Sequence, residues 1–134
     1  MRQDVEDKYA QYPEHVKLVL LDVRTLIFDL ADEHQLGEVE ENLKWGQLSY
    51  LVKGGSPVRF GWSEHFPPQF SVFMNCKTKL LDTFRELYSD ILVFKGNREI
   101  VLELEGRLPI NTLKQCLLMA LTYHRIKHLP LLGA

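Results

Sequence analysis

Between Asp22 and Glu41 the chain carries carboxylates at a spacing that a helix would gather. At 100° per residue Asp22, Asp29 and Glu33 fall within about a 40° sector, Asp32 lies beside them, and Glu38, Glu40 and Glu41 follow at once. Adjacent carboxylates are oxygen ligands for hard cations and can hold a divalent or ferrous ion weakly through water. The alternative is the solvated face of an amphipathic helix. Against it stands the position of Asp29, Asp32 and Glu33 near a helix C-terminus, where the macrodipole disfavours each exposed carboxylate by roughly 0.3–1 kcal/mol. No calcium loop or histidine–carboxylate spacing accompanies them.

Three further groups have chemical potential. His124 and His128 stand i,i+4 and could share a metal, but the intervening glutamate of zinc-protease helices is absent, and with Arg125 and Lys127 they equally complement a helix C-terminus. Cys76, between Asn75 and Lys77 ahead of a helical segment, is either a rim thiol or a nucleophile that would need a base beside it, whereas Cys116 falls on the apolar side of the last helix. Lys44, Trp45, Gly46, Gln47, Ser49 and Tyr50, with Arg59 and Trp62 on the next strand, form a polar and aromatic cluster. It could hold a carboxylate or phosphate with a ring stacked on the ligand, or be a cation–π pair that caps a sheet.

The elements that must position these residues follow from periodicity. Pro13 to about Gln35 is predicted helical, with Val16, Val19, Leu20, Val23, Ile27 and Leu30 on one stripe and Gly37 past its end. Residues 1–11 are a loose arm or a short helix. From Leu43 the period becomes two. Ser49–Val52 and Val58–Trp62 flank Gly54-Gly55-Ser56 as a hairpin, with Val58, Phe60 and Trp62 on one face and Arg59 and Gly61 on the other. Phe70–Met74 follows as a strand after the Pro67-Pro68 loop, and Thr78–Tyr88 is helical. Leu92–Lys95 and Glu99–Leu104 pair around Gly96-Asn97, and a last helix runs from Pro109 or Asn111 to about Lys127. Connections this short within each strand group favour antiparallel pairing. The expected architecture is α+β, an antiparallel sheet of about five strands with helices on one face, in the order α-β-β-β-α-β-β-α, and one domain spans residues 1–134.

Composition agrees and narrows the function. The 134 residues are 46% hydrophobic and 10% aromatic, enough for one core and too much for disorder. The net charge of −2 hides a division: residues 1–42 carry −7 and residues 43–134 carry +5. The bases are dispersed over strands and helix ends, so nucleic-acid binding has no footprint. No apolar run approaches a membrane span and no signal segment precedes the first helix, so the expected location is the cytoplasm. Two cysteines make neither a disulfide framework nor a zinc motif.

Glu41-Asn42-Leu43-Lys44-Trp45-Gly46-Gln47-Leu48-Ser49-Tyr50, Arg59-Phe60-Gly61-Trp62, Asn75-Cys76-Lys77-Thr78, Thr83-Phe84-Arg85-Glu86-Leu87-Tyr88 and Gly96-Asn97-Arg98 together resemble the YdhG-like family of small bacterial domains. The match runs from about Tyr12 to Tyr123, with Leu48 where many relatives have proline. The resemblance implies a compact α+β domain similar to frataxin. Some YdhG-like proteins are described as iron chaperones that serve iron–sulfur or haem assembly proteins. By that likeness Asp29, Asp32, Glu33, Glu38, Glu40 and Glu41 occupy the acidic stretch that would bind Fe2+. Two expectations follow: a non-enzymatic iron-binding or iron-delivery protein, or a small-molecule or protein-binding module centred on Lys44, Trp45, Tyr50, Arg59 and Trp62. An enzyme using Cys76 ranks behind both.

Overall fold

The computed structural model describes residues 1–134. Helix α1 (Gln3–Ala10) leads into α2 (Glu14–Glu33), and strands β1 (Glu40–Lys44), β2 (Gln47–Leu51), β3 (Val58–Gly61) and β4 (Gln69–Phe73) follow. Then come α3 (Leu80–Tyr88), β5 (Val93–Lys95), β6 (Glu99–Glu103), α4 (Ile110–Leu121), the short α5 (Tyr123–Ile126) and a terminal 3₁₀ turn at Pro130–Gly133. The six strands form one antiparallel sheet in the order β1-β2-β3-β4-β6-β5. The architecture is α+β, as the periodicity requires, with a sixth strand and an N-terminal helix added to the expected order.

The strand alternation assigns the two faces. Leu48, Tyr50, Val58, Phe60, Phe70, Val72, Ile100 and Leu102 are buried beneath the helices, where they meet Val16, Leu20, Val23 and Ile27 of α2 and Leu113 and Leu117 of α4. Each fully buried aliphatic chain contributes roughly 1.5–3 kcal/mol, so this stripe-on-sheet contact is the main source of stability. The opposite face bears no helix. Across it one register row runs Asn42, Ser49, Arg59, Phe73, Glu99, Lys95, and the next runs Lys44, Gln47, Gly61, Ser71, Val101, Val93.

Segment 1–11 is not a loose arm. Val5 and Tyr9 of α1 are fully buried in the core. The sheet also begins before Leu43: Glu40 and Glu41 belong to a strand, because Glu40–Lys44 pairs along its whole length with Gln47–Leu51. Trp45 and Gly46 close that hairpin with φ of 54° and 77°. Two successive positive φ values define a type I′ turn, whose twist suits antiparallel strands. The last helix also departs from expectation by breaking at Thr122. The β2–β3 loop docks there: Ser56 N–H donates to the Ala120 carbonyl at 2.8 Å, and His124 N–H donates to the Gly54 carbonyl at 2.9 Å. Main-chain groups that would continue the helix are thus taken by tertiary partners.

Candidate functional site

The acidic residues do not assemble a chelating set. Asp29, Asp32, Glu33, Glu38 and Glu40 are exposed, and no group of three or more His, Cys, Asp or Glu side chains comes together so as to hold a metal ion. Glu41 is committed elsewhere. It accepts hydrogen bonds from Arg24 Nε and Nη2, the second at 3.1 Å, and from the Tyr50 hydroxyl at 2.7 Å. The Tyr50 hydroxyl in turn meets that of Tyr9 at 2.7 Å, so one polar chain ties α1, α2, β1 and β2 together. Burial pushes the Glu41 carboxyl up, but the hydrogen bonds from Arg24 and Tyr50 outweigh it and leave the carboxyl below its usual range. Burial, together with the neighbouring hydroxyl and carboxylate, raises Tyr50 far above the ordinary phenol range.

The aromatic and basic cluster is also redistributed. Tyr50 belongs to the helix-covered face, opposite Val58 and stacked on Phe60 at 5.1 Å, because its parity along β2 is that of Leu48. Lys44 and Trp45 lie at the hairpin tip, where Trp45 is 93% exposed. Arg59 and Trp62 border cavities on or beside the uncovered face. His128 lies past the end of α5, so the expected helical spacing to His124 is not kept. Cys76 is exposed, and burial pushes the Cys116 thiol up to about 12, which keeps it protonated and unreactive.

A cleft of about 450 Å3 opens over the helix-free face. Its floor includes Gly61, Ser71 and Val101 of the second register row and Phe73 and Glu99 of the first. One wall is the β3–β4 loop, held by local bonds. Trp62 Nε1 donates to the Pro67 carbonyl at 3.0 Å, and Phe66 N–H donates to the Ser63 carbonyl at 3.1 Å. Phe66, 63% exposed, sits under the Lys95 ammonium at 5.3 Å, a cation–π contact that links the loop to β5. On the other side Tyr12 packs edge-on to Trp62 at 6.4 Å, and Lys8 rests over Tyr12 at 5.4 Å. The Ser71 hydroxyl donates to Glu99 at 2.6 Å, so that carboxylate is already engaged from the floor.

The cleft lies where polar and apolar groups alternate and two lysines reach its rim, an arrangement suited to orienting a small, partly aromatic molecule. Of the cluster singled out from the sequence it contains Gly46, Gln47 and Trp62, while Arg59 borders a smaller cavity beside it. Lys8, Phe66, Phe73 and Lys95 were not anticipated. They come from α1, the β3–β4 loop, β4 and β5, and only the tertiary arrangement brings them together. No protein-family model, curated protein or solved structure matches the chain. The resemblance to the YdhG-like family therefore stands on its motif residues alone.

Proposed function

We propose that this domain is a non-enzymatic binding module that takes a small, partly aromatic molecule in the cleft of the uncovered sheet face. The observation that carries the reading is the cleft itself. Its volume of about 450 Å3 falls within the size range of small-molecule sites. Trp62, Phe66 and Phe73 supply ring faces, while Gln69, Ser71 and the two lysines supply polar contacts. The loop that forms the wall is built to persist without a ligand, since its bonds to Trp62 and Lys95 are internal. A preformed wall lowers the ordering cost of binding.

The iron-delivery role implied by the family resemblance has less behind it. Its six carboxylates are dispersed, and one of them is locked to Arg24.

Titration with phenol, followed by amide NMR, tests the cleft. Saturable shifts confined to Gly61, Trp62, Ser71 and Val101 are expected. Shifts scattered over the surface, or none at millimolar phenol, would remove the reading.

A further inference from the structure

Taking that cleft as the ligand site, we propose that the smaller cavity beside it is an oxyanion subsite, in which Arg59 and Arg98 grip a carboxylate or phosphate carried by the ligand. The second cavity is about 170 Å3 and shares Gln47 and Phe73 with the cleft. Its wall brings together Arg59 from β3, Arg98 from the β5–β6 turn, and Asn75 and Cys76 from the segment after β4. A ligand body in the cleft and a charged group in this cavity would therefore meet across one shared ring, Phe73.

Neither arginine has an anionic or hydrogen-bonding partner within the protein. The molecule has two ion pairs, Arg2 with Asp4 and Arg24 with Glu41, and neither involves Arg59 or Arg98. Neither guanidinium donates a hydrogen bond to any protein acceptor. By contrast Arg85 donates to the Gly96 carbonyl and Arg125 to the Lys53 carbonyl. Arg59 is half-buried at the centre of its register row between Ser49 and Phe73, and its guanidinium nitrogens stay open to solvent and so to a ligand. Arg98 lies with its guanidinium carbon 5.7 Å from the centre of the Phe73 ring. The nearest carboxylate in the same row, Glu99, receives the Ser71 hydroxyl.

Two like charges lining one small cavity repel each other, and an anion between them reverses the sign of that interaction. Each guanidinium offers five N–H donors in a planar fork that matches carboxylate and phosphate oxygens. Asn75 adds a donor, because its Oδ1 already accepts from Lys77 N–H at 2.8 Å and leaves the amide NH2 free. The only charged groups lining the cavity are the two guanidinium cations, which suits an oxyanion.

Three probes separate the subsite from the cleft by amide NMR: phenol for the cleft, inorganic phosphate for the subsite, and phenyl phosphate for both. Benzoate in place of phenyl phosphate distinguishes a carboxylate from a phosphate ligand. Phosphate should shift Arg59, Asn75 and Arg98, and phenyl phosphate should bind at least tenfold more tightly than phenol. Replacing both arginines, Arg59→Gln with Arg98→Gln, should weaken phosphate and phenyl phosphate by on the order of tenfold or more, as expected for loss of charge-assisted pairs. Arg98 is exposed at a turn, so Arg98→Gln alone keeps the fold and should still weaken both probes severalfold. Phosphate that shifts none of these residues, or binds the double variant as well as the wild type, overturns the subsite. A phenol response without a phosphate response removes the subsite and leaves the cleft. A phosphate response at the arginines without a phenol response upholds the subsite and removes the cleft reading.

Discussion

Replacement of Arg24 by Met tests whether Glu41 is a structural carboxylate. The methionine keeps an apolar stem over Phe28, above whose ring the guanidinium lies at 4.4 Å, and removes both donors to Glu41. What remains is a carboxylate side chain only 10% exposed, with a single donor from Tyr50. Breaking a buried ion pair costs about 3–5 kcal/mol. Arg24 is itself 24% exposed, so water can partly replace it, and a cost of about 2–3 kcal/mol is expected. Urea unfolding at pH 7 measures this as a lower midpoint at unchanged slope.

The pH dependence adds a signature that packing loss would not give. The Glu41 carboxyl sits below its ordinary value in the folded protein. Its contribution is therefore fully present above the unfolded value of about 4.3 and disappears as pH falls through the lower folded value. In the variant burial of Glu41 is opposed only by Tyr50, so the gap between wild type and Arg24→Met should be largest at pH 7 and shrink as pH falls toward the lowered folded value of the wild type. A difference below about 0.5 kcal/mol at pH 7, no more than an ordinary surface substitution gives, would refute the reasoning. So would an equal difference at pH 7 and pH 3.

Two other substitutions probe the frame around the site. Gly55→Ala would drive a Cβ into the α4 main chain at the Leu121 carbonyl, whose carbon lies 2.8 Å away, so the β2–β3 loop must lift from α4. With the Ser56–Ala120 and His124–Gly54 bonds each worth about 1 kcal/mol, a loss of roughly 2–3 kcal/mol is expected in thermal or urea unfolding. Trp45→Asn should do the opposite. Trp45 holds φ of 54° while almost wholly exposed, a conformation that costs most L-residues about 1–2 kcal/mol and that asparagine tolerates. A rise in midpoint is expected, and the variant leaves Trp62 as the sole tryptophan reporter of the cleft.

Much of the fold is legible in the sequence because its core obeys simple periods. The stripe from Val16 to Leu30 and the alternation of Val58 and Phe60 specify which surfaces meet. Strand β1 is not legible this way. Glu40-Glu41-Asn42-Leu43-Lys44 is a polar edge strand without alternation, so its acids read as a loop. The signal that could have found it is Trp45-Gly46, a two-residue turn before the next strand.

The helix break at Thr122 depends mainly on a distant segment, since the loop that claims the Ala120 carbonyl comes from residues 54–56, while the Thr122 hydroxyl adds a local bond to the Leu118 carbonyl at 2.8 Å. Within the candidate site, Arg59 was placed on the correct face by alternation. Tyr50 was not, because antiparallel register sets it opposite Val58 rather than beside Arg59. Trp62 shares the parity of Phe60 yet reaches the cleft, for it lies just past the end of β3, where its Nε1 turns to Pro67. Lys8, Phe66 and Lys95 come from three separate segments: the β4-β6-β5 order brings Lys95 to Phe66, and Lys8 arrives on α1 beside Tyr12.

The central claim is that the uncovered face holds a ligand cleft, and Gly61→Val tests it most directly. A Cβ at Gly61 meets only the Tyr12 hydroxyl at 3.6 Å, so a branched side chain fits the strand and projects into the cleft floor. The variant should fold at least as stably as the wild type, since a strand gains roughly 0.5–1 kcal/mol when glycine gives way to a β-former. Amide NMR with phenol should show saturable shifts at Trp62, Ser71 and Val101 in the wild type and lose them in Gly61→Val. The same shifts, at the same midpoint, in the folded variant would contradict the account.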